Sequence, residues 1–415
     1  MINPLNETTK DVNEYFLDMK KMYAKAYNKN KTSPYTKTRV ILLNGLEFES
    51  NWFMHQFARN CNNEELRQEI AVIRKQEQQQ QKRIASLKPI NESILETTIA
   101  YEQLAIDLTA TLAQNETDKN NIEALNFALL EDFDHLYRFA NLLYLDKGID
   151  ATTLVGKFTE IMPGRPTISE HRYPKDDIKK PMNAQKAKLY SKLVGNIITA
   201  AEQQTMNYYM NIAQWYKNDL GRKLYSEIAM IEEQHVSQYE SLKDPNCTWL
   251  QQWVMHEYTE CYLYFSAYSE ETDEYIKGIW KEHYYMEVAH LKKAIELLEK
   301  FEKTSYTTVF GDGTFPTLLK HGSNIKYIRE VLNRTINLTG NRTSYIDVNK
   351  LKDDADYFCY QKACIKKDED VASHNVIIKA INKLGKDVRF QTSAHPIKEL
   401  QNRTKDNTKI ARFKD

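Results

Sequence analysis

Six polar residues in the first half of the chain reappear in the second half at a constant shift of 155 residues. In the second half they read Glu, Glu-x-x-His, Glu and Glu-x-x-His on four successive segments. Four acids and two histidines, spread over four helices, are the donor set of a two-metal site inside a helical bundle. The pattern therefore indicates redox or oxygen chemistry. The first-half residues are Glu47, Glu77, Gln80, Glu102, Asp132 and His135, and their second-half counterparts are Glu202, Glu232, His235, Glu257, Glu287 and His290.

The second-half acids fall on helical faces that are otherwise largely apolar. Glu232 and His235, for example, share one face with Leu224, Ile228 and Tyr239, because residues three or four apart lie together on a helix. Unpaired buried carboxylates are costly, so several that converge on one core indicate bound cations. Carboxylates can bridge two ions, and each Glu-x-x-His adds one nitrogen donor.

These arguments assign a role to each second-half residue. We predict that all of them form one site, with the four glutamates as catalytic residues and Glu260, three residues after Glu257, as a seventh ligand. The predicted bridges are Glu232 and Glu287, the nitrogen ligands are His235 and His290, and the terminal ligands are Glu202 and Glu257.

The first half has Gln80 where the second half has His235. A neutral amide is a poor ligand for iron, so we predict a degenerate copy whose acids hydrogen-bond one another. A weak second metal site is the alternative. Its ligands would be Glu47, Glu77, Glu102, Asp132 and His135.

Glycine and proline are scarce in this chain of 415 residues, at 12 and 10, which favours long helices. The fold class predicted is therefore mainly α, with two tandem four-helix bundles and a mixed C-terminal appendage. The predicted helices are 35–60, 63–87, 91–114, 117–147, 189–218, 221–243, 248–270 and 272–303. The predicted domains are an N-terminal extension (1–34), a first bundle (35–147), a linker (148–188), a second bundle with the metal site (189–303) and an appendage of unknown role (304–415).

The overall composition excludes several classes of protein. Lysine plus arginine equals aspartate plus glutamate at 57 each, so neither nucleic acid nor an anionic membrane is a favoured partner. The five cysteines form no CxxC pair, which argues against zinc ribbons and rubredoxin-type iron sites. No basic and apolar leader follows Met1, so we expect a cytoplasmic protein. A homo-oligomer is compatible with these features.

The second half resembles the ferritin-like superfamily, and within it most closely the rubrerythrins. The resemblance is carried by Ala201–Tyr209, Glu232–His235, His256–Glu260 and Glu287–His290. It implies a site for two iron ions, with manganese also compatible, that reduces or activates peroxide or dioxygen. Rubrerythrins have two glutamates three residues apart on the third helix, which match Glu257 and Glu260, or Val254 and Glu257 if no gap is allowed.

The chain departs from the rubrerythrin pattern in two respects. It lacks the iron–sulfur module with two CxxC motifs, so an external electron donor of rubredoxin or reductase type is expected. Only 25 residues separate Glu232 from Glu257, whereas ferritin-like bundles have a long crossover between their second and third helices. A crossover with shortened helices and an up-down-up-down bundle both remain open.

The same donor residues are compatible with other functions. An oxygenase acting on an organic substrate would use the same metals and an aromatic pocket. A non-catalytic iron-binding protein would hold the metals without turnover. A structural protein would keep the acids only as a hydrogen-bonded remnant.

Overall fold

The computed structural model describes residues 2–166 and 172–402, and this part of the chain is mainly helical, as predicted. Its only two strands, β1 (Leu338–Asn341) and β2 (Ser344–Asp347), form an antiparallel pair. The α-helices of the described part are α1 (Met19–Met22), α2 (Pro34–Asn60), α3 (Glu64–Ala85), α4 (Ile94–Asn115), α5 (Lys119–Lys147), α6 (Leu189–Trp215), α7 (Asp219–Glu240), α8 (Trp249–Glu270), α9 (Glu274–Glu302), α10 (Thr307–Phe310), α11 (Ile325–Thr335), α12 (Asp356–Cys364) and α13 (Ala372–Leu384).

Helices α6 to α9 begin and end 155 residues after α2 to α5, the same shift as the polar residues. The predicted helix bounds agree with the observed ones to within three residues. Local sequence explains several of these ends. Ser93 with Glu96 starts α4 and Thr248 with Gln251 starts α8, each pair forming a capping box that satisfies free amides of the first turn.

Three-residue connections join α2 to α3, α4 to α5, α6 to α7 and α8 to α9. Connections this short hold neighbouring helices antiparallel, so the long helices form four helical hairpins. The connections are residues 61–63, 116–118, 216–218 and 271–273.

The four hairpins divide between two compact units, and each unit takes one hairpin from each half of the chain. Unit 1 combines α2 and α3 with α8 and α9, and unit 2 combines α4 and α5 with α7 and the second part of α6. The predicted bundles 35–147 and 189–303 are therefore corrected. Of the described residues, unit 1 takes those within 1–92, 181–201 and 243–320, and unit 2 takes those within 93–180, 202–242 and 321–415, so one boundary falls inside α6.

The lengths of the connections limit how the helices can be arranged. Residues 86–93 and 241–248 are eight-residue connections that span about 26 Å when extended. A 22-residue helix such as α3 or α7 is about 33 Å long. Neither connection can therefore form the crossover considered between α7 and α8. Both would fit an up-down-up-down bundle, so packing between the hairpins assigns α8 and α9 to the other unit. The 41 residues between α5 and α6 are long enough to connect the two hairpins of unit 2.

The predicted linker is in large part a packed segment of unit 2. The Gln103 amide donates to the Val155 carbonyl at 3.1 Å, and the Thr159 hydroxyl donates to Asp107 at 2.8 Å. Gly164 lies so close to α5 that a Cβ there would be 2.2 Å from the Leu130 carbonyl oxygen. The segment is therefore part of the fold, and residues 167–171 lie outside the described part.

The predicted appendage also belongs to the two units rather than to a separate module. In unit 1 the Phe310 ring stacks on Tyr258 with centroids 4.4 Å apart. In unit 2 Glu227 accepts hydrogen bonds from the amides of Ala372 and Ser373, at the start of α13. Residues 403–415 lie outside the described part. No described helix combines the length and apolar character that crossing a membrane requires.

Candidate metal centres

Unit 2 brings together six donor residues from its four long helices. Asp132, Glu202, Glu232 and His235 place one ligand atom each within 4.8 Å of one another, and so do Glu102, His135 and Glu232. Glu232 is common to both groups. One carboxylate shared by two neighbouring donor groups is the arrangement that holds two metal ions with a bridge between them.

The helical register explains why these side chains meet. Glu102 on α4 and Glu202 on α6 each contribute one carboxylate, while α5 and α7 each contribute an acid and a histidine three residues apart. Residues with this spacing share one helical face. All six side chains belong to residues that are at most 1% exposed. The donors therefore point into the core of unit 2.

Hydrogen bonds orient the histidines of unit 2. Nε2 of His235 lies 2.8 Å from Glu131 Oε2 and donates its proton there, which leaves Nδ1 facing Asp132 at 3.2 Å and Glu232 at 3.1 Å. Nδ1 of His135 lies 3.0 Å from the other oxygen of Glu232. A carboxylate behind a ligating histidine fixes its tautomer and raises its basicity. This support is present for His235, whereas Nε2 of His135 has no hydrogen-bond partner within the described part of the chain. The two Nδ1 atoms nevertheless both face Glu232 and are placed to act as donors.

Unit 1 contains a related arrangement with different donors. One group consists of Glu77, Glu257, Glu287 and His290, and the other of Glu47, Glu77 and Glu260, each with ligand atoms within 4.8 Å of one another. Glu77 is the shared carboxylate. Unit 1 therefore also offers two adjacent cation positions joined by one side chain.

The supporting contacts of unit 1 resemble those of unit 2. His290 Nε2 donates to Gln76 at 2.9 Å, just as His235 donates to Glu131. Gln76 and Glu131 each come one residue before an acid of the donor set. They are equivalent in position, but only Glu131 is charged.

Tyrosines support one terminal carboxylate in each unit. The Tyr209 hydroxyl donates to Glu102 at 2.5 Å, and the Tyr264 hydroxyl donates to Glu47. Both tyrosines lie seven residues after a donor glutamate, which places them two helical turns further along the same face. The Trp253 indole also donates to Glu257 in unit 1.

The electrostatics of the metal-free centres oppose ionisation of most carboxyl groups. Burial and neighbouring carboxylates raise the pKa of Glu102, Glu202 and Glu260 well above the usual range. Burial, Glu77 and other neighbours likewise raise the pKa of Glu287 to about 7. Glu232 is the exception: burial opposes its charge, but His135 and His235 outweigh burial and hold its pKa at about 2.

Two of these carboxylates lack hydrogen-bond donors, although Glu202 Oε2 does lie 3.7 Å from Nδ1 of His235. Both oxygens of Glu202 and both oxygens of Glu260 are buried and accept no hydrogen bond from any described residue. Burying a charged group without a partner costs several kcal/mol, roughly, so these oxygens need either protons or cations. Carboxylate and imidazole donors in these numbers suit divalent iron or manganese. The residues present therefore fit a metal pair in each unit.

The raised pKa values predict how the metal-free protein responds to pH. Carboxyl groups that stay protonated in the folded state but ionise near pH 4.5 when unfolded favour folding at low pH, and this contribution is lost as pH rises. The raised pKa of His235 acts in the same direction. We expect the free energy of unfolding of metal-free protein to fall between about pH 5 and about pH 8, by about 1.4 kcal/mol per pH unit for each proton retained.

Urea denaturation at several pH values, in the presence of a chelator, measures this dependence. Glu202→Gln should flatten it, because an amide cannot ionise. Stability of the metal-free protein that rises over the same range would contradict the interpretation.

The structure does not assemble the single site predicted from the second half of the chain. Glu202, Glu232 and His235 lie in unit 2, whereas Glu257, Glu260, Glu287 and His290 lie in unit 1. The first-half residues complete the two groups: Glu102, Asp132 and His135 in unit 2, and Glu47 and Glu77 in unit 1. The physical reason is that each second-half hairpin packs against a first-half hairpin rather than against the other second-half hairpin. The first-half acids therefore group with second-half donors and not with one another alone.

The predicted bridging role of Glu287 also changes. The Gln80 amide nitrogen donates to Glu287 Oε1, and Glu287 appears in only one of the two donor groups of unit 1. Glu77 occurs in both groups. Sequence reasoning had placed Glu77 only in the weak first-half site.

Sequence reasoning missed the residues that orient the donors, namely Gln76 and Glu131. No periodic signal identified them, because their partners are remote in sequence. Tyr209 and Tyr264 did carry a signal, since each follows a donor glutamate by two helical turns. His256, which lies beside the donor pattern but is not part of it, pairs with Glu49 at 2.8 Å.

Comparison of the chain with protein-family models, with curated proteins and with solved structures finds no significant match.

Proposed function

We propose that this protein is a two-metal oxidoreductase that reduces or activates peroxide or dioxygen at the donor set of unit 2. The observation that carries the proposal is the pair of buried donor groups that share Glu232, each with its own histidine. Iron is the proposed metal, and manganese fits the same donors. The resemblance of the second half to rubrerythrins supports the same class of chemistry.

The proposed role of each residue follows from its contacts. Glu102 and His135 would hold one ion, Glu202 and His235 the other, and Glu232 would bridge them, with Asp132 beside the second. A metal pair supplies two electrons to a bound oxidant. Glu131 fixes the ring of His235, and Tyr209 fixes Glu102, so the donor set is organised before the metals bind.

Burial favours a small oxidant over an organic substrate. Because each donor residue is at most 1% exposed, the reacting molecule must reach the core of unit 2. Peroxide and dioxygen can diffuse through a packed core by small side-chain movements, whereas a large substrate needs an open cleft. Burial also excludes bulk water from the reaction.

Electrons would come from a separate protein or reductant. The five cysteines are free thiols and form no CxxC pair, so they do not suggest an iron–sulfur module within the chain. We therefore propose a rubredoxin-like or reductase-like donor as the partner.

A single-turnover experiment tests the proposed function. The iron-loaded full-length chain is reduced chemically without oxygen, mixed with hydrogen peroxide or dioxygen, and followed by near-ultraviolet absorbance. We expect one round of oxidation, and continued turnover only when an external donor is supplied. His135→Ala should slow the oxidation by about tenfold or more, because one ion loses its nitrogen donor.

Two outcomes would overturn the proposal. Reduced protein that keeps its metals but does not react with either oxidant would be an iron-binding protein without turnover. Peroxide consumption without reductant, in proportion to manganese content, would identify a disproportionation reaction instead.

A further inference from the structure

The two centres contain equal numbers of donors but different kinds. Unit 1 supplies five carboxylates and one histidine, and unit 2 supplies four carboxylates and two histidines. The difference lies at two helical positions. When the helices are paired by their order within each unit, α3 corresponds to α5 and α8 corresponds to α6. In this pairing Gln80 takes the place of His135, and Glu260 takes the place of Thr205.

Gln80 does not replace the nitrogen donor of the histidine. Its amide nitrogen donates a hydrogen bond to Glu287, and an amide N–H has no lone pair for a metal. The Gln80 amide oxygen is buried and accepts no hydrogen bond within the described part of the chain, so the only donor atom that Gln80 can offer a metal is an oxygen.

Glu260 supplies the missing donor from a different helix. It lies three residues after Glu257 on α8, and its carboxylate is within 4.8 Å of donor oxygens of Glu47 and Glu77. The residue is fully buried, and neither of its oxygens accepts a hydrogen bond within the described part of the chain. A buried and unpartnered carboxylate beside two others indicates a cation between them.

We propose that Glu47, Glu77 and Glu260 form an all-oxygen metal position, which discriminates against Mn²⁺ less than the three positions that include a histidine. The other three positions each include a histidine: His290 in unit 1, and His135 and His235 in unit 2. Oxygen donors suit hard cations, whereas an imidazole nitrogen favours later transition metals. This inference rests on the metal binding assumed in the proposed function, but not on oxidant chemistry.

Competition between Mn²⁺ and Co²⁺ tests the proposal. Co²⁺ binds most such sites more tightly than Mn²⁺, so stripped full-length protein is equilibrated without oxygen with a roughly hundredfold free excess of Mn²⁺ over Co²⁺. The protein is then desalted and analysed for both metals. We expect the wild type to keep up to about one Mn²⁺ per chain and Co²⁺ at the remaining positions. Glu260→Thr should lose about one ion per chain, almost all of it Mn²⁺.

A second substitution gives unit 1 the donor types of unit 2. Adding Gln80→His to Glu260→Thr should restore the total metal content but replace Mn²⁺ by Co²⁺, lowering the Mn²⁺ content by about fivefold or more. His135→Gln is the matched control in unit 2. It places a glutamine where unit 1 has Gln80, but Thr205, in the place of Glu260, provides no carboxylate to compensate. It should lose about one ion and gain no preference for Mn²⁺.

Each result has a clear meaning. Unchanged metal content in Glu260→Thr, or an unchanged Mn²⁺ to Co²⁺ ratio after Gln80→His is added, overturns the all-oxygen position and leaves the proposed function intact. Failure of the wild type to bind either ion overturns both. Circular dichroism of each variant establishes that it is folded, so loss of metal is read only from helical protein.

Discussion

Replacing Glu232 by alanine is expected to remove about half of the metal from the iron-loaded chain and to leave the rest bound. Glu232 belongs to both donor groups of unit 2 and to neither group of unit 1. Its loss removes a donor from two ions at once. Glu77 is likewise shared by both donor groups of unit 1, so Glu77→Ala should have the same effect there. Iron analysis should fall from about four ions per chain to about two for either variant.

The combined variant provides the decisive comparison. Glu77→Ala together with Glu232→Ala should retain almost no metal, because the two losses occur in separate donor sets and add. Asp132→Ala added to Glu232→Ala should cause little further loss, since both residues serve unit 2. Complete loss of iron from Glu232→Ala alone would show that the second-half residues form one common site after all.

Metal loading should raise the melting temperature by several degrees, and Glu202→Gln should abolish part of this gain while stabilising the metal-free protein. A ligand that binds only the folded state adds about 4 kcal/mol when present at about a thousand times its dissociation constant. Burial and neighbouring carboxylates raise the pKa of Glu202, so a neutral amide relieves an unfavourable group when no metal is present. Calorimetry with and without iron measures both effects.

Glu49→Gln is the control for a buried carboxylate outside the donor sets. Glu49 lies 2.8 Å from His256, whose positive charge lowers the pKa of Glu49 despite burial. Removing this paired charge should lower the melting temperature equally with and without iron. If wild-type protein melts at the same temperature with and without iron, the buried carboxylates are not stabilised by metal and the prediction is wrong.

The grouping of the hairpins affects how any substitution in this chain is interpreted. His235 and His290 occupy equivalent places in the repeated pattern, yet they lie in different units. A variant of one should leave the other centre complete. Substitutions at equivalent places in the two Glu-x-x-His pairs should therefore act independently of each other.

The sequence by itself determined where the helices lie and which residues face inward. The signals for this are local: apolar periodicity, scarce glycine and proline, and capping residues such as Ser93 and Thr248. Each depends only on residues close together in the sequence. The donor types were equally evident, because a Glu-x-x-His pair lies on one helical face whatever that helix packs against.

Only the tertiary structure decided which hairpins share a core, and hence which donors meet. That choice depends on packing between surfaces far apart in sequence, which no local signal reports. The two eight-residue connections exclude a crossover along a helix, but they fit a sequential up-down-up-down bundle as well as the observed exchange of hairpins. Packing places Glu77 beside His290 and Glu232 beside His135, pairings that no periodicity along the chain encodes.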